Sequence, residues 1–374
     1  MPGKALIEQV SRWESKQVRR ISSRWLTFSL SSLLLFGAAL NAADLALPRF
    51  VGSQGCASAL CHGGADDKHN QFLIWSKKDF HTRAPATLSM ARSARMAETL
   101  KIPDATTEAR CTACHNPFQP VSLERKEARI GKLEGVSCET CHNAAEHWLL
   151  THTRTDLSYQ QKVSAGLRDL KNLYVRANTC VACHQNLEPE LRAAGHPELT
   201  FEMDGQCVTM PRHWSETNRW RGAQAWWVGQ AVALREAAAQ AAGGNVSEDV
   251  AQRAAALAWL LGVPADQKVA DQLARTAAQE NWRADDVKAR VGKLAAFHAS
   301  FADTTPRGEL AQRAERVVVG LERLLVALKL NKDTTLSPKL DELFKDVQSR
   351  PDFDVKKFAA HLQEFEAAWN QRGN

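Results

Sequence analysis

Gly135-Val136-Ser137-Cys138-Glu139-Thr140-Cys141-His142 is the stretch on which the reading of this chain turns. Two cysteines separated by two residues, with a histidine directly after the second, form the attachment pattern of a c-type haem. The two thiols add across the two vinyl groups of one haem as thioethers, and the adjoining histidine reaches the iron from the proximal side. The pattern recurs at Cys111, Cys114, His115 and at Cys180, Cys183, His184. A longer form, Cys-x4-Cys-His, stands at Cys56, Cys61, His62. Its two additional residues can loop out while both thiols keep their places.

Zinc is the competing reading of Cys-x2-Cys pairs. A zinc site does not require histidine directly after the second cysteine, and here it follows all four times. Disulfides are the first thought for nine cysteines in an exported chain. Eight of the nine, however, stand in tight pairs, and the ninth, Cys207, has no local partner and reads as a small buried apolar residue. The expected cofactor set is four covalently bound c-type haems with their iron. They are attached through Cys56, Cys61, Cys111, Cys114, Cys138, Cys141, Cys180 and Cys183, with His62, His115, His142 and His184 as proximal ligands.

Eight histidines remain as sixth ligands. His298 and His361 lie far from any cysteine pair, in a helical region, and read as surface or packing residues. Of the other six, His81, His152 and His196 lead, followed by His213, and then His69 and His147. Methionine is the alternative ligand and would raise the potential; Met90, Met96, Met203 and Met210 are available, but histidine outnumbers them near the motifs.

On these residues the chain resembles the cytochrome c-554-type multihaem family. The run Gly135–His142 looks like that family's third haem motif. Phe80-His81-Thr82-Arg83-Ala84, with Leu88 following, resembles its distal-histidine segment, and Trp148-Leu149-Leu150-Thr151-His152 and Ala194-Gly195-His196-Pro197 resemble further recurring segments. The resemblance spans about residues 53–215, with a weak echo at Trp227-Val228-Gly229-Gln230. It implies that these histidines reach across to another haem. Two departures stand out. Glu188-Pro189-Glu190 occupies the place where larger relatives carry a further histidine, and no cysteine follows Cys207 to hold a fifth haem.

The formal charge of +6 suggests nucleic acid until its distribution is read. Residues 1–24 hold six basic residues against two acidic ones, so most of the excess sits beside a hydrophobic stretch, Trp25 to Ala43. No basic stripe interleaved with aromatics appears elsewhere, which excludes a nucleic-acid partner on this pattern. The 19 uncharged residues 25–43 read either as a signal peptide or as a transmembrane anchor, and both place the chain in the periplasm or at the outer face of the cytoplasmic membrane. Arg83, Arg110 and Arg129 are candidates to pair with haem propionates.

The fold expected is mainly α. A basic segment (1–24), the apolar segment (25–43) and a linker (44–55) precede a haem domain with little regular structure (56–215), in which packed haems replace much of a side-chain core and Trp75 and Trp148 lie on porphyrin faces. From 216 to 374 alanine becomes abundant and an all-α bundle follows, with helices over 219–242, 247–261, 284–302, 308–330, 337–348 and 354–371. Val317, Val318, Leu321, Leu324, Leu325 and Leu328 form its clearest apolar stripe. The bundle reads as a docking or shielding unit.

Two functions follow from this reading. In the first, haems held by two histidines each pass electrons between redox proteins or from a membrane quinol oxidoreductase. In the second, one five-coordinate haem acts on a small nitrogen or sulfur compound, which the family resemblance allows. The haem count is directly measurable. The intact mass should exceed that of the polypeptide by four haems, and these should survive acid-acetone extraction; bound zinc without haem would overturn the reading.

Overall fold

The computed structural model describes residues 47–372 apart from 217, 244–246, 303–304 and 349. The basic segment 1–24 and the apolar segment 25–43 lie outside the described residues. Within the described residues no helix is long and apolar enough to cross a membrane. The chain there is mostly helical and has no strand; one isolated bridge joins Phe50 to Lys126.

The haem-motif half consists of short helices and turns. Three motifs end short helices: α1 (Ala109–His115), α2 (Cys138–His142) and α3 (Leu173–His184). A helix suits Cys-x-x-Cys-His because residues three and four apart share a face, so both thiols and the histidine project together. Each helix has a local start. The Glu108 carboxylate accepts the Arg110 N–H, the Thr140 hydroxyl accepts the Ser137 N–H (3.2 Å), and the Asn172 side chain accepts from Tyr174 and Val175.

The bundle is built from α4 (Arg221–Ala241), α5 (Glu248–Leu261), α6 (Gln267–Gln279), α7 (Ala284–Ala295), α8 (Arg307–Leu328), α9 (Leu336–Asp346) and α10 (Val355–Arg372). Helix α6 is absent from the sequence expectation. Its buried face is made of Ala270, Ala274 and Ala277, which carry helical spacing but little apolar signal. The helix expected over 284–302 ends at Ala295 and continues as a 3-10 stretch, Ala296–Ala302.

Packing does not respect the compositional line at 215/216. One core cluster contains Leu173, Tyr174, Ala177 and Val181 of α3 together with Trp226, Val228 and Leu234 of α4 and the α8 stripe. Polar contacts cross the same line: Gln185 donates to the Ala233 carbonyl (2.8 Å), the Tyr174 hydroxyl to Asp271 (2.5 Å), and Arg176 pairs with Glu216 (2.5 Å). The helix bearing the fourth motif is therefore packed into the bundle. Cys207 is buried in this cluster as a small apolar residue.

The tightest point of the core is where α8 passes Trp226, a fully buried ring on α4. A Cβ on Gly320 would stand 2.5 Å from its Cζ2 and 2.8 Å from Leu294 Cδ1. Gly320→Ala should therefore destabilise the holoprotein. The overpacking cost of about 1–3 kcal/mol exceeds the gain of about 1 kcal/mol in helix propensity. The check is a thermal melt, in which the midpoint should fall by several degrees.

Candidate haem sites

Motif one shows how a longer spacing is absorbed. The His62 N–H donates to the Cys56 carbonyl (3.2 Å), and the Cys61 N–H to Ser58 (2.9 Å). In an α-helix a Cys-x-x-Cys-His histidine would donate to the first cysteine's carbonyl in the same way. The additional residues bulge outward, leaving Leu60 91 % exposed.

The motifs are neighbours across the chain. The first motif packs against the third, and the second against the fourth. Arg168 bridges the third and fourth, donating to the Thr140 carbonyl (3.1 Å) and the Thr179 hydroxyl (3.4 Å). The order in space is thus first, third, fourth, second.

Each motif histidine faces one other histidine. Ring centroids are 6.1 Å apart for His62 and His152, 6.3 Å for His115 and His196, 6.4 Å for His142 and His213, and 6.0 Å for His184 and His81. With a metal–imidazole bond of about 2.0 Å and a ring nitrogen about 1.1 Å from its centroid, two imidazoles on opposite sides of one metal have centroids about 6.2 Å apart. The spacing therefore fits one iron held between each pair.

Tautomer and charge fit as well. Nδ1 faces an oxygen that can only accept in His62 (Gln71 Oε1, 2.9 Å), His81 (Asp79 Oδ1, 3.0 Å), His152 (Trp148 O, 3.3 Å) and His196 (Pro197 O, 2.8 Å), and in His115 it faces the Ala84 carbonyl (3.2 Å) and the Thr87 hydroxyl (2.9 Å), whose own proton goes to that carbonyl (2.7 Å). Nδ1 must then carry the proton, which leaves the Nε2 lone pair for a metal. Burial also disfavours the imidazolium: it pushes His142 down to about 4 and lowers His115, His184 and His213. A ligand must be neutral.

The other histidines are engaged elsewhere. His69 pairs with Asp66 at the surface (2.9 Å), and His147 is exposed. His298 meets Glu366 (2.9 Å), and His361 meets Asp346 (2.7 Å). Two arginines considered for propionates have carboxylate partners within the chain: Arg110 with Glu108 and Glu188, and Arg129 with Glu127. Arg83 lies over the Phe80 ring. The Trp75 indole donates to the Val136 carbonyl (3.0 Å), and buried Trp148 sets its face against the edge of His152 (5.3 Å).

Sequence reasoning missed Glu139, which lies inside the third motif. It is 1 % exposed, and its carboxylate accepts the backbone N–H groups of Val51 (3.0 Å), Gly52 (2.7 Å) and Ala145 (2.7 Å). It thereby fixes the approach to Cys56 against Cys138. An acid between two motif cysteines is the only linear signal, and nothing local tells it from a surface glutamate. Asp79 was missed for the same reason; it is buried and accepts both Nδ1–H and the backbone N–H of His81.

Residues 56–143 match the family described as cytochrome c554 and c-prime. The match bears out the resemblance read from the sequence; it covers the first three motifs and stops short of the fourth. No curated protein and no solved structure matches the chain.

Glu139→Ala should leave three buried N–H groups without an acceptor, at about 1–3 kcal/mol each. Chemical denaturation of the holoprotein should show a loss of about 3 kcal/mol or more, with Glu139→Gln intermediate because one amide oxygen remains.

Proposed function

We propose, on the premise that residues 56–143 are those of a c-type cytochrome with covalently bound haem iron, that the chain carries four such haems and transfers electrons in the periplasm or at the outer face of the cytoplasmic membrane. The residue pairs that hold the irons are His62/His152, His115/His196, His142/His213 and His184/His81. The observation that carries this reading is the fourfold recurrence of one imidazole spacing, 6.0–6.4 Å, each time between a motif histidine and a different remote one.

Bound haem supplies one-electron iron chemistry. The chain's own residues orient eight imidazoles, and the motif cysteines would fix each group covalently. Histidine on both sides keeps the potential lower than a histidine–methionine set would. The neighbour order of the motifs provides a continuous relay. A catalytic role on a small nitrogen or sulfur compound requires an open iron, and a second histidine opposite every proximal one argues against it. Redox proteins or a membrane quinol oxidoreductase are the proposed partners, with residues 25–43 as the membrane segment.

Electron paramagnetic resonance of the oxidised protein tests this. All four irons should be low-spin. The His62 and His152 ring planes are nearly parallel (18°) and those of His81 and His184 perpendicular (90°), so these two sites should give distinct low-spin signals. Replacing His81, His152, His196 or His213 by alanine should each open one iron to carbon monoxide, whereas His69→Ala and His147→Ala should be silent. A high-spin iron in the unmodified protein would restore the catalytic reading.

A further inference from the structure

The C-terminal bundle supplies no motif cysteine and none of the eight paired histidines, yet its charged side chains grip the segment that carries His196. Glu198, two residues beyond His196, receives Arg253 of α5 at 2.9 Å and Arg350 of the α9–α10 connection at 3.2 Å, with Arg192 at 3.8 Å. Both bundle arginines are themselves fixed. Arg253 is buried and also pairs with Asp249 (3.1 Å), while Arg350 is held by Glu315 (2.5 Å). Arg192, on the short helix just before His196, is tied to Asp249 as well (2.8 Å). The anchor is a preformed charged network whose parts come from α5, α8 and the α9–α10 connection.

The other three remote histidines have supports of their own that do not involve Glu198. His81 is held by buried Asp79, His152 follows buried Trp148 in the same helical turn, and half-buried His213 stands against Trp214, which packs on the core shared with the bundle. The His196 ring is different. Its Nδ1 proton goes to the carbonyl of its own neighbour Pro197, and Gly195 before it has φ +105°, with open space where a Cβ would stand. Its backbone N–H donates only locally, to Leu191 (3.0 Å). Glu198 is the nearest side chain that ties this turn to a distant element.

We infer that Arg253 and Arg350, acting through Glu198, are positioning residues that keep His196 opposite His115, so that the bundle sets the coordination of one iron. The inference rests on the His115/His196 pairing proposed above. Without the clamp the Gly195-His196 turn can swing away, and the iron bound to His115 would spend part of its time without a sixth ligand. Loss of the charge-assisted contacts should shift that equilibrium by about tenfold or more. The other three irons should not respond.

The test uses the holoprotein with its four haems verified by mass. His196→Ala defines the end point, one high-spin iron that binds carbon monoxide. Glu198→Gln and Arg350→Ala should each raise the carbon-monoxide-reactive fraction of that same iron about tenfold or more over the unmodified protein, and Arg350→Lys should restore most of the low-spin signal. Arg350→Ala leaves Arg253 and the helical core in place, and so remains readable where Glu198→Gln lowers the yield. If His196→Ala changes nothing, the pairing itself is wrong and the inference falls with it. If His196→Ala opens an iron but the Glu198 and Arg350 variants stay fully low-spin, the pairing stands and the clamp is overturned.

Discussion

Two imidazole rings facing each other at a little over 6 Å, each with its Nδ1 proton committed or its ring buried neutral, are the interaction around which this protein is arranged. A histidine can serve a metal only when one nitrogen is free and the ring is uncharged. The chain meets the first condition with ordinary groups: backbone carbonyls at Ala84, Trp148 and Pro197, a glutamine oxygen at Gln71 and a buried carboxylate at Asp79; burial favours the uncharged ring at His115, His142, His184 and His213. These outer contacts explain why the haem half can be so irregular. Its helices need only be long enough to present two thiols and a histidine on one face, and its turns need only deliver a second ring.

Irregular backbone has to be secured by something other than helix ladders, and buried charge does that here. Glu139 gathers three N–H groups, two from the distant Val51-Gly52 segment and one from nearby Ala145, at the junction of the first and third motifs, and Glu134 accepts a fourth from Ser53 (2.6 Å). The same device recurs at the bundle, where Glu198 joins the His196 turn to α5 and the α9–α10 connection. A carboxylate can hold several donors at once with charge-assisted strength, which suits joints between segments that share no regular pairing. The cost is that losing one such residue leaves several buried partners unsatisfied together.

The bundle's place follows from the same logic. Helix α3 carries the fourth motif and lies in the core of the bundle beside Trp226, so the two halves share apolar packing as well as ion pairs. A compositional change at residue 216 marks where cysteine and short turns give way to alanine-rich helix, but composition follows local chemistry and cannot show which surfaces are buried against each other. Helix α6 makes the same point in reverse. Alanine at 270, 274 and 277 is a weak apolar signal in isolation and becomes a buried face only because α4 offers a surface close enough to need small residues.

The sequence by itself determined what is local and what is periodic. The Cys-x-x-Cys-His motifs, the looped-out variant at Cys56, the four histidines that close the motifs and the long amphipathic helices are all set by residues at fixed short spacing, so they can be read along the chain. Likewise, the preference for His81, His152, His196 and His213 over His69 and His147 came from the sequence, and the structure sets those four, and not the other two, opposite the motif histidines. Which ring faces which was decided only by the tertiary structure: His152 lies opposite His62, 90 residues away, and His81 opposite His184, more than 100 away. The same holds for Glu139 and Glu198, whose roles exist only because segments remote in sequence bring donors to their carboxylates. A linear pattern records spacing along one element, whereas partners across the fold are fixed by how the whole chain buries its apolar and charged groups at once.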